Sequence, residues 1–474
     1  MSLQPTPSPH GGTPNVDSQA ESPFQARALP ENLAKEYGAV ALGTDGDALL
    51  VAFTSAPSEI ALRRIERATG LRVRVTEHPE ERVTEELART VGSRLGARFR
   101  PAETDAPAVR FVERLQERAL RERCSDIHLE PEAQGLRVRF RVDGVLREVE
   151  RCEAILGAAI ISRVKVLAGM DIAEKRVPQD GRYTVRIAEH VLDARVSSVP
   201  TQDGEKLVIR FLNHHTRLPS LDSLGMDEVI QARFTRVIDS ASGFIVVCGP
   251  TGSGKTTTLY AALERLNTSS RNICTVEDPV EQEIACVTQV QVNARAGVSF
   301  DRVLRALLRQ DPDVIMVGEM RDSETASIAV AAALSGQLVL TTLHSTDAPR
   351  AVDRLIELGI SRASLAAGLS AILSQRLVRK RCLRCVRTIA GAFESPGCEH
   401  CLGLGYHERI GIFELIVVDD DISEAIVRGA SSVELGRLAA TSGYRSMRHD
   451  ALAKAEIGLT GPEELIRTLG SASS

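Results

Sequence analysis

Hydrophobic and polar positions divide the chain into segments of different period. Residues 1–25 are rich in Pro, Ser, Gly and Gln, lack apolar periodicity and read as a disordered tail. From about Leu29 the pattern changes: 33–37 is helix-like, 39–42 and 49–53 are strand-like, 58–68 is helical and 71–75 alternates as a half-buried strand. Together, 26–95 reads as a small α/β domain without a catalytic cluster, suited to docking a partner. Residues 96–106 read as a linker.

The stretch 107–215 reads as a second α/β module. A helix at 109–121 precedes Ser125-Asp126-Ile127-His128-Leu129-Glu130, to which the pattern assigns no element. Strands follow at 136–142 and 145–149 around an Asp143-Gly144 turn, then a helix at 155–167. The charged stretch 175–182 reads as a turn, and strands are predicted at 183–187, 191–196 and 207–212. Arg182, Arg195 and Arg210 lie at or near strand ends; a lone arginine there is most often a solvated surface residue.

Residues 216–378 alternate buried-strand and helix patterns, which predicts a parallel α/β sheet. The apolar run Phe244-Ile245-Val246-Val247-Cys248 leads into Gly249-Pro250-Thr251-Gly252-Ser253-Gly254-Lys255-Thr256-Thr257 and then a helix over 257–264. This fits G-x-x-x-x-G-K-[ST] between a strand and a helix. Glycines let backbone N–H groups surround phosphates, and the helix N-terminus adds partial positive charge. Lys255 can reach the β- and γ-phosphates of ATP, and Thr256 can offer its hydroxyl to Mg²⁺. Three further strands end in polar tips: 272–276 in Glu277, 313–319 in Glu319, and 338–343 in His344. In such a sheet, ligands bind beyond the carboxyl ends of the strands, so the tips and the loop should share one crevice. The carboxylate at 319 resembles a Walker B tip beside Mg²⁺ and the attacking water.

Cys382-x2-Cys385 and Cys398-x2-Cys401 have the spacing of a tetrahedral Cys₄ zinc site. Residues 379–411 are thus expected to form a zinc-binding insertion, and 412–474 a small helical subdomain with helices at 431–440 and 461–469.

Composition adds limits. The chain has 474 residues, about three domains' worth. A net charge of -5 and 3% aromatic residues offer no basic, stacking-rich surface, so no nucleic-acid partner is expected. The apolar run 328–343 is interrupted by Ser335-Gly336-Gln337 and falls short of the ~20 residues of a membrane span. A cytoplasmic location follows, where the nine cysteines stay reduced or bind metal.

Taken together, these residues resemble the secretion-system and type IV pilus assembly ATPases, most closely the type II secretion ATPases that form the E subunit of the general secretory pathway. The likeness runs from about Pro30 to the C-terminal region. It is carried by 125–131, by Arg176-Val177-Pro178-Gln179-Asp180-Gly181-Arg182, by the phosphate loop, by Thr275-Val276-Glu277-Asp278-Pro279-Val280-Glu281, by 311–319 with Arg321-Asp322, by 341–348 and by the four cysteines. The resemblance implies a RecA-like P-loop ATPase core preceded by a PAS-like α/β domain and a small N-terminal α/β domain. It implies a homo-hexamer held at the inner membrane by the cytoplasmic domain of a secretion-platform protein, driving pseudopilus assembly; the alternative within the family is pilus extension. It gives Glu277 the water-activating role, Glu319 the Mg²⁺ and water network, His344 a place in the site, and Arg182, Arg195, Arg210 and Arg321 the neutralisation of phosphate charge. Three departures stand out. The cysteine pairs are closer together than usual, Met320 replaces a common isoleucine, and Glu408 stands where the family usually has glycine.

Overall fold

The computed structural model describes residues 29–76 and 107–470, apart from 31–32, 35–36, 47, 54–56, 188–189, 213–219, 294–295 and 390. The expected tail at 1–25 and linker at 96–106 lie outside the described residues. The chain forms two compact units, divided between Thr104 and Asp105.

In the first unit, β1 (Ala39–Asp45), β2 (Ala48–Phe53) and β3 (Arg72–Val75) form one sheet in that order. β1 and β2 make an antiparallel hairpin, whereas β2 and β3 are parallel and joined by the helix Glu59–Thr69. Ser58 caps that helix by accepting from the Ala61 N–H at 3.2 Å, and Gly70, in the left-handed region, ends it. Leu49, Val51 and Ile65 are fully buried between sheet and helix.

The second unit begins with a six-stranded antiparallel sheet. Its strands are β4 (Cys124–Glu132), β5 (Gly135–Val142), β6 (Val145–Cys152), β7 (Gln179–Ile187), β8 (His190–Thr201) and β9 (Gly204–Leu212), in the order β6-β5-β4-β9-β8-β7. The helices Pro107–Arg121 and Ala154–Leu167 share a core with the apolar face of this sheet, where Ile127, Leu129, Val138, Phe140, Leu207 and Ile209 are all completely buried. Strand alternation sends the residues between them to the other face. There Arg141, Asp126, Arg210, Arg195 and Arg182 are direct cross-strand partners along one row spanning five strands.

Two sequence expectations change here. Residues 125–130 form the central strand β4, buried continuously from Asp126 to Glu130, so the apolar-polar alternation is not matched by an exposed side. The stretch 175–182, expected to be a turn, is already strand from Gln179, because Gln179–Arg182 pair with Arg195–Ser198.

The larger sheet has seven strands. β10 (Gly243–Cys248), β11 (Ile273–Glu277), β12 (Thr288–Gln291), β13 (Val314–Val317), β14 (Leu338–Leu343) and β15 (Leu369–Arg381) are followed by a small hairpin, β16 (Arg387–Ile389) with β17 (Ala392–Glu394), and by β18 (Tyr406–Val417). The order is β12-β11-β13-β14-β10-β15-β18; the pairs up to β15 are parallel and β18 returns antiparallel. Two separate apolar clusters pack one on each face of this sheet, and its inner strands β11, β13 and β14 are buried along their whole length.

β15 and β18 run across the expected boundaries at 378/379 and 411/412, so the cysteine knob is an excursion from the edge of the ATPase sheet. Residues 412–417, expected to open a helical subdomain, are strand because they pair with residues 371–376 of β15. The helices Asp420–Arg428, Ser432–Thr441, Met447–Glu456 and Pro462–Leu469 follow. No helix among the described residues is long and apolar enough to cross a membrane.

Candidate active site

The phosphate loop hangs between β10 and the helix Lys255–Leu266. β10 is buried on both faces, which fixes where the chain leaves the sheet at Gly249. Gly249 has φ +151° and Gly254 has φ +89°, and a Cβ at Gly249 would lie 2.4 Å from the Gln375 carbonyl oxygen. Both positions therefore need glycine. Lys255 Nζ donates to the carbonyls of Gly249 at 2.8 Å and Pro250 at 3.0 Å. Burial lowers the pKa of this ammonium, while the negative charge of the Glu319 carboxylate acts to raise it. Thr256 is exposed on the first turn of the helix.

The strand tips gather as expected from parallel strands. His344, just past β14, feels the charges of Lys255, Glu319 and Arg321, so these four share one electrostatic neighbourhood. Desolvation, then the Lys255 charge, holds the His344 imidazole below its ordinary pKa, which keeps it neutral near pH 7. Arg321 pairs with Glu319 and lies 3.2 Å from Asp278 Oδ2. Glu277 sits at the same edge but is only 2% exposed. Its Oε1 accepts from Thr275 Oγ1 at 2.6 Å and Gln289 Nε2 at 3.0 Å, and its Oε2 accepts from the Tyr260 hydroxyl. Tyr260 and Gln289 were not legible as partners, since Gln289 belongs to the short edge strand β12, which no periodicity announces.

A cleft of about 640 Å³ opens between the phosphate loop and the antiparallel sheet. Pro250, Thr251, Gly252 and Ser253 form one wall, with Arg210, Asp126 and Arg141 opposite. Of the three arginines singled out in 107–215, Arg210 reaches this cleft, whereas Arg182 and Arg195 line an adjoining hollow that Arg210 also borders. Arg376, Arg409 and Arg467 complete the cleft wall. They come from β15, β18 and the last helix, far apart in sequence, and the motif reading missed them. Beside the cleft residues Asp143 and Arg409, the Glu408 backbone N–H donates to Asp143 Oδ2 at 2.9 Å, and its carboxylate lies 3.4 Å from Arg123. Glu408 has φ +67°, the left-handed region in which glycine is at ease.

The four cysteine sulfurs lie within 4.8 Å of one another. The separations are 3.8 Å for Cys382–Cys398, 3.9 Å for Cys385–Cys401 and 3.7 Å for Cys398–Cys401. Four thiolates at ~2.3 Å from a tetrahedral zinc are about 3.8 Å apart, so the set fits that ion. Backbone N–H groups of Cys398 and Gly405 donate to Cys401 Sγ at 3.1 and 3.3 Å, the kind of outer contact that stabilises a metal-bound thiolate.

Comparison with known proteins agrees with this geometry. The family described as Type II/IV secretion system protein matches residues 101–467. The type II secretion system protein HxcR of Pseudomonas aeruginosa is 47% identical over 367 residues, covering 77% of this chain and 78% of that one. The type IV pilus assembly ATPase PilB of Thermus thermophilus is 39% identical over 496 residues, covering 96% of this chain and 56% of PilB. In fold, the chain is similar to the Legionella pneumophila ATPase DotB, with a TM-score of 0.58 at 23% identity, covering 78% of this chain and 95% of DotB. Phosphate loop, converging strand tips and sequence relationship agree: the chain belongs to the Type II/IV secretion system protein family and is an ATPase.

Proposed function

We propose that this chain is the motor of a type II secretion system, hydrolysing ATP to drive pseudopilus assembly and protein export. The observation that carries the reading is the convergence of Lys255, Glu319, Arg321 and His344 beyond the ends of β10, β13 and β14. The relatedness to HxcR over more than three quarters of both chains supports the secretion branch. The pilus-extension reading rests on the PilB match, which is lower in identity although it spans nearly the whole chain.

In this mechanism Lys255 leaves the loop carbonyls to neutralise the β- and γ-phosphates. The oxygen of a water forms a bond to the γ-phosphorus as the bond to the β-γ bridging oxygen breaks, and ADP carries away that electron pair. Glu277 takes the water's proton, exchanging one of its hydrogen bonds from Tyr260, Thr275 or Gln289 for the water. Glu319 orders the water network, and Arg321 stays beside it as a charge partner. The Thr256 hydroxyl would hold Mg²⁺, which would supply further positive charge against the phosphates. Arg210, with Arg195 and Arg182 along its row, brings positive charge from the antiparallel sheet as the cleft closes or as a neighbouring subunit docks. A homo-hexamer, a membrane-platform partner for 26–95 and a peripheral position at the inner membrane belong to the same proposal. Zinc, held by Cys382, Cys385, Cys398 and Cys401, is structural: four protein ligands leave no open position.

The test is a deletion in the source organism, complemented by wild type or Lys255→Ala. Wild type should restore export of proteins to the medium and Lys255→Ala should not. If deletion leaves export intact and removes surface pili, the pilus-extension reading replaces this one.

A further inference from the structure

Gln375 lies on β15 behind the phosphate loop, and it is 2% exposed. Its Nε2 donates to the Ser253 carbonyl at 2.7 Å, and its Oε1 accepts from Thr258 Oγ1 at 2.7 Å. One side chain therefore grips the loop at its turn and again on the first turn of the following helix. Both contacts are buried, with Thr258 at 0% and Ser253 at 3% exposure, so water cannot replace either bond. The fit is close elsewhere too. A Cβ at Gly254 would lie 3.1 Å from Gln375 Nε2, and one at Gly249 would lie 2.4 Å from its carbonyl oxygen.

The geometry has a directional consequence. In a trans peptide the C=O of one residue and the N–H of the next point opposite ways. Holding the Ser253 carbonyl toward β15 turns the Gly254 N–H away from β15, toward the side on which phosphates bind. The Thr258 contact fixes the helix start against the same strand, which sets the spacing between Lys255 and the loop.

We propose that Gln375 is a positioning residue of the phosphate loop, setting nucleotide affinity without touching nucleotide. The affected donors contact phosphate in the ground state and the transition state alike. Their disorder should therefore raise KM and Kd much more than it lowers kcat.

The experiment uses the full chain and three variants. Gln375→Met keeps length and bulk and deletes both hydrogen bonds. Gln375→Glu keeps an acceptor for Thr258 and sets a carboxylate against the Ser253 carbonyl. Thr258→Val removes one of the two bonds. Equilibrium Kd for ADP, KM and kcat for ATP, and thermal midpoint without nucleotide are measured together. Gln375→Met should weaken ADP and raise KM about tenfold, the size of one ordinary net hydrogen bond, with kcat changed less than about threefold. Gln375→Glu should be at least as weak, and Thr258→Val should shift both constants about threefold in the same direction. The proposal rests on the loop binding ATP, which wild-type ADP affinity reports in the same assay; if wild type fails to bind, that reading fails first. Wild-type Kd and KM in folded Gln375→Met would overturn the proposal, as would a lower thermal midpoint with unchanged affinities, the pattern of a purely structural residue. Should Gln375→Met not fold, Thr258→Val decides, and wild-type affinities there overturn it.

Discussion

Arg210 Nε donates to Asp126 Oδ1 at 2.8 Å, tying β9 to β4 at the edge of the cleft that holds the phosphate loop. Asp126 is 5% exposed, whereas the Arg210 side chain is 65% exposed, so the carboxylate anchors a guanidinium that remains open to the cleft. Five donors sit on that guanidinium and the anchor uses its Nε, leaving the terminal nitrogens for phosphate.

Asp126→Asn should therefore keep the fold and lose aim. It lowers kcat because Arg210 no longer has a charged anchor, while ATP binding at the loop is largely retained. The check is steady-state kinetics: kcat should fall by about tenfold or more with KM moved less. Wild-type kcat would mean that Asp126 does not orient Arg210.

Zinc analysis tests the knob. Purified protein should carry one zinc per chain, and Cys382→Ser should lose it. Cys382 directly follows β15, and its N–H donates to the Gly405 carbonyl at 2.9 Å, so the loss should loosen 382–405 while ADP affinity stays at the wild-type value. Metal analysis with limited proteolysis of the two proteins reads both outcomes.

Acid should weaken the six-stranded sheet through Glu130. Burial by itself would raise the pKa of this carboxyl, but hydrogen bonds and charge from Arg139 and Lys206 outweigh it and hold the group at about 2 rather than 4.5. A depressed carboxyl gives its full contribution above the unfolded pKa and loses it as pH falls through the folded one. The stabilisation, roughly 3 kcal/mol, should be complete at pH 7 and shrink between about 4.5 and 2. Urea unfolding of wild type and Glu130→Gln should show a gap that is wide at pH 7 and narrows below pH 4.5. A gap that widens in acid would contradict the assignment.

Local chemistry was the part of the site that the sequence made legible. Glu319 and His344 sit just past apolar strands, Lys255 closes the loop that leaves another, and parallel strands oblige their tips to meet. The four cysteines announce themselves by spacing. The row from Arg141 to Arg182 was not legible, because its members are joined by pairings between strands up to 84 residues apart, as with Asp126 and Arg210. Glu277 could be placed at its strand tip, yet its burial under Tyr260 and Gln289 depends on how a neighbouring helix and β12 close over it. Gln375 carries no signal in the sequence, since it stands between Ser374 and Arg376 in β15, and its meaning needed Ser253 and Thr258 to be in view. Glu408 was visible as an odd residue at a glycine position; its left-handed backbone and its bond to Asp143 give that oddity a physical form.

In the proposed mechanism hydrolysis needs positive charge delivered from the antiparallel sheet, by cleft closure within the proposed ring. Lys255 and Mg²⁺ leave transition-state charge unmatched, and an added arginine is worth about 10³ or more in rate. The most direct measurement is ATPase activity per chain as a function of protein concentration, with sedimentation on the same samples, for wild type and Arg210→Ala. Activity per chain should rise as hexamers form, and Arg210→Ala should assemble equally well while turning over about 10³-fold more slowly. Equal turnover by monomer and hexamer, or wild-type turnover by assembled Arg210→Ala, would contradict the account.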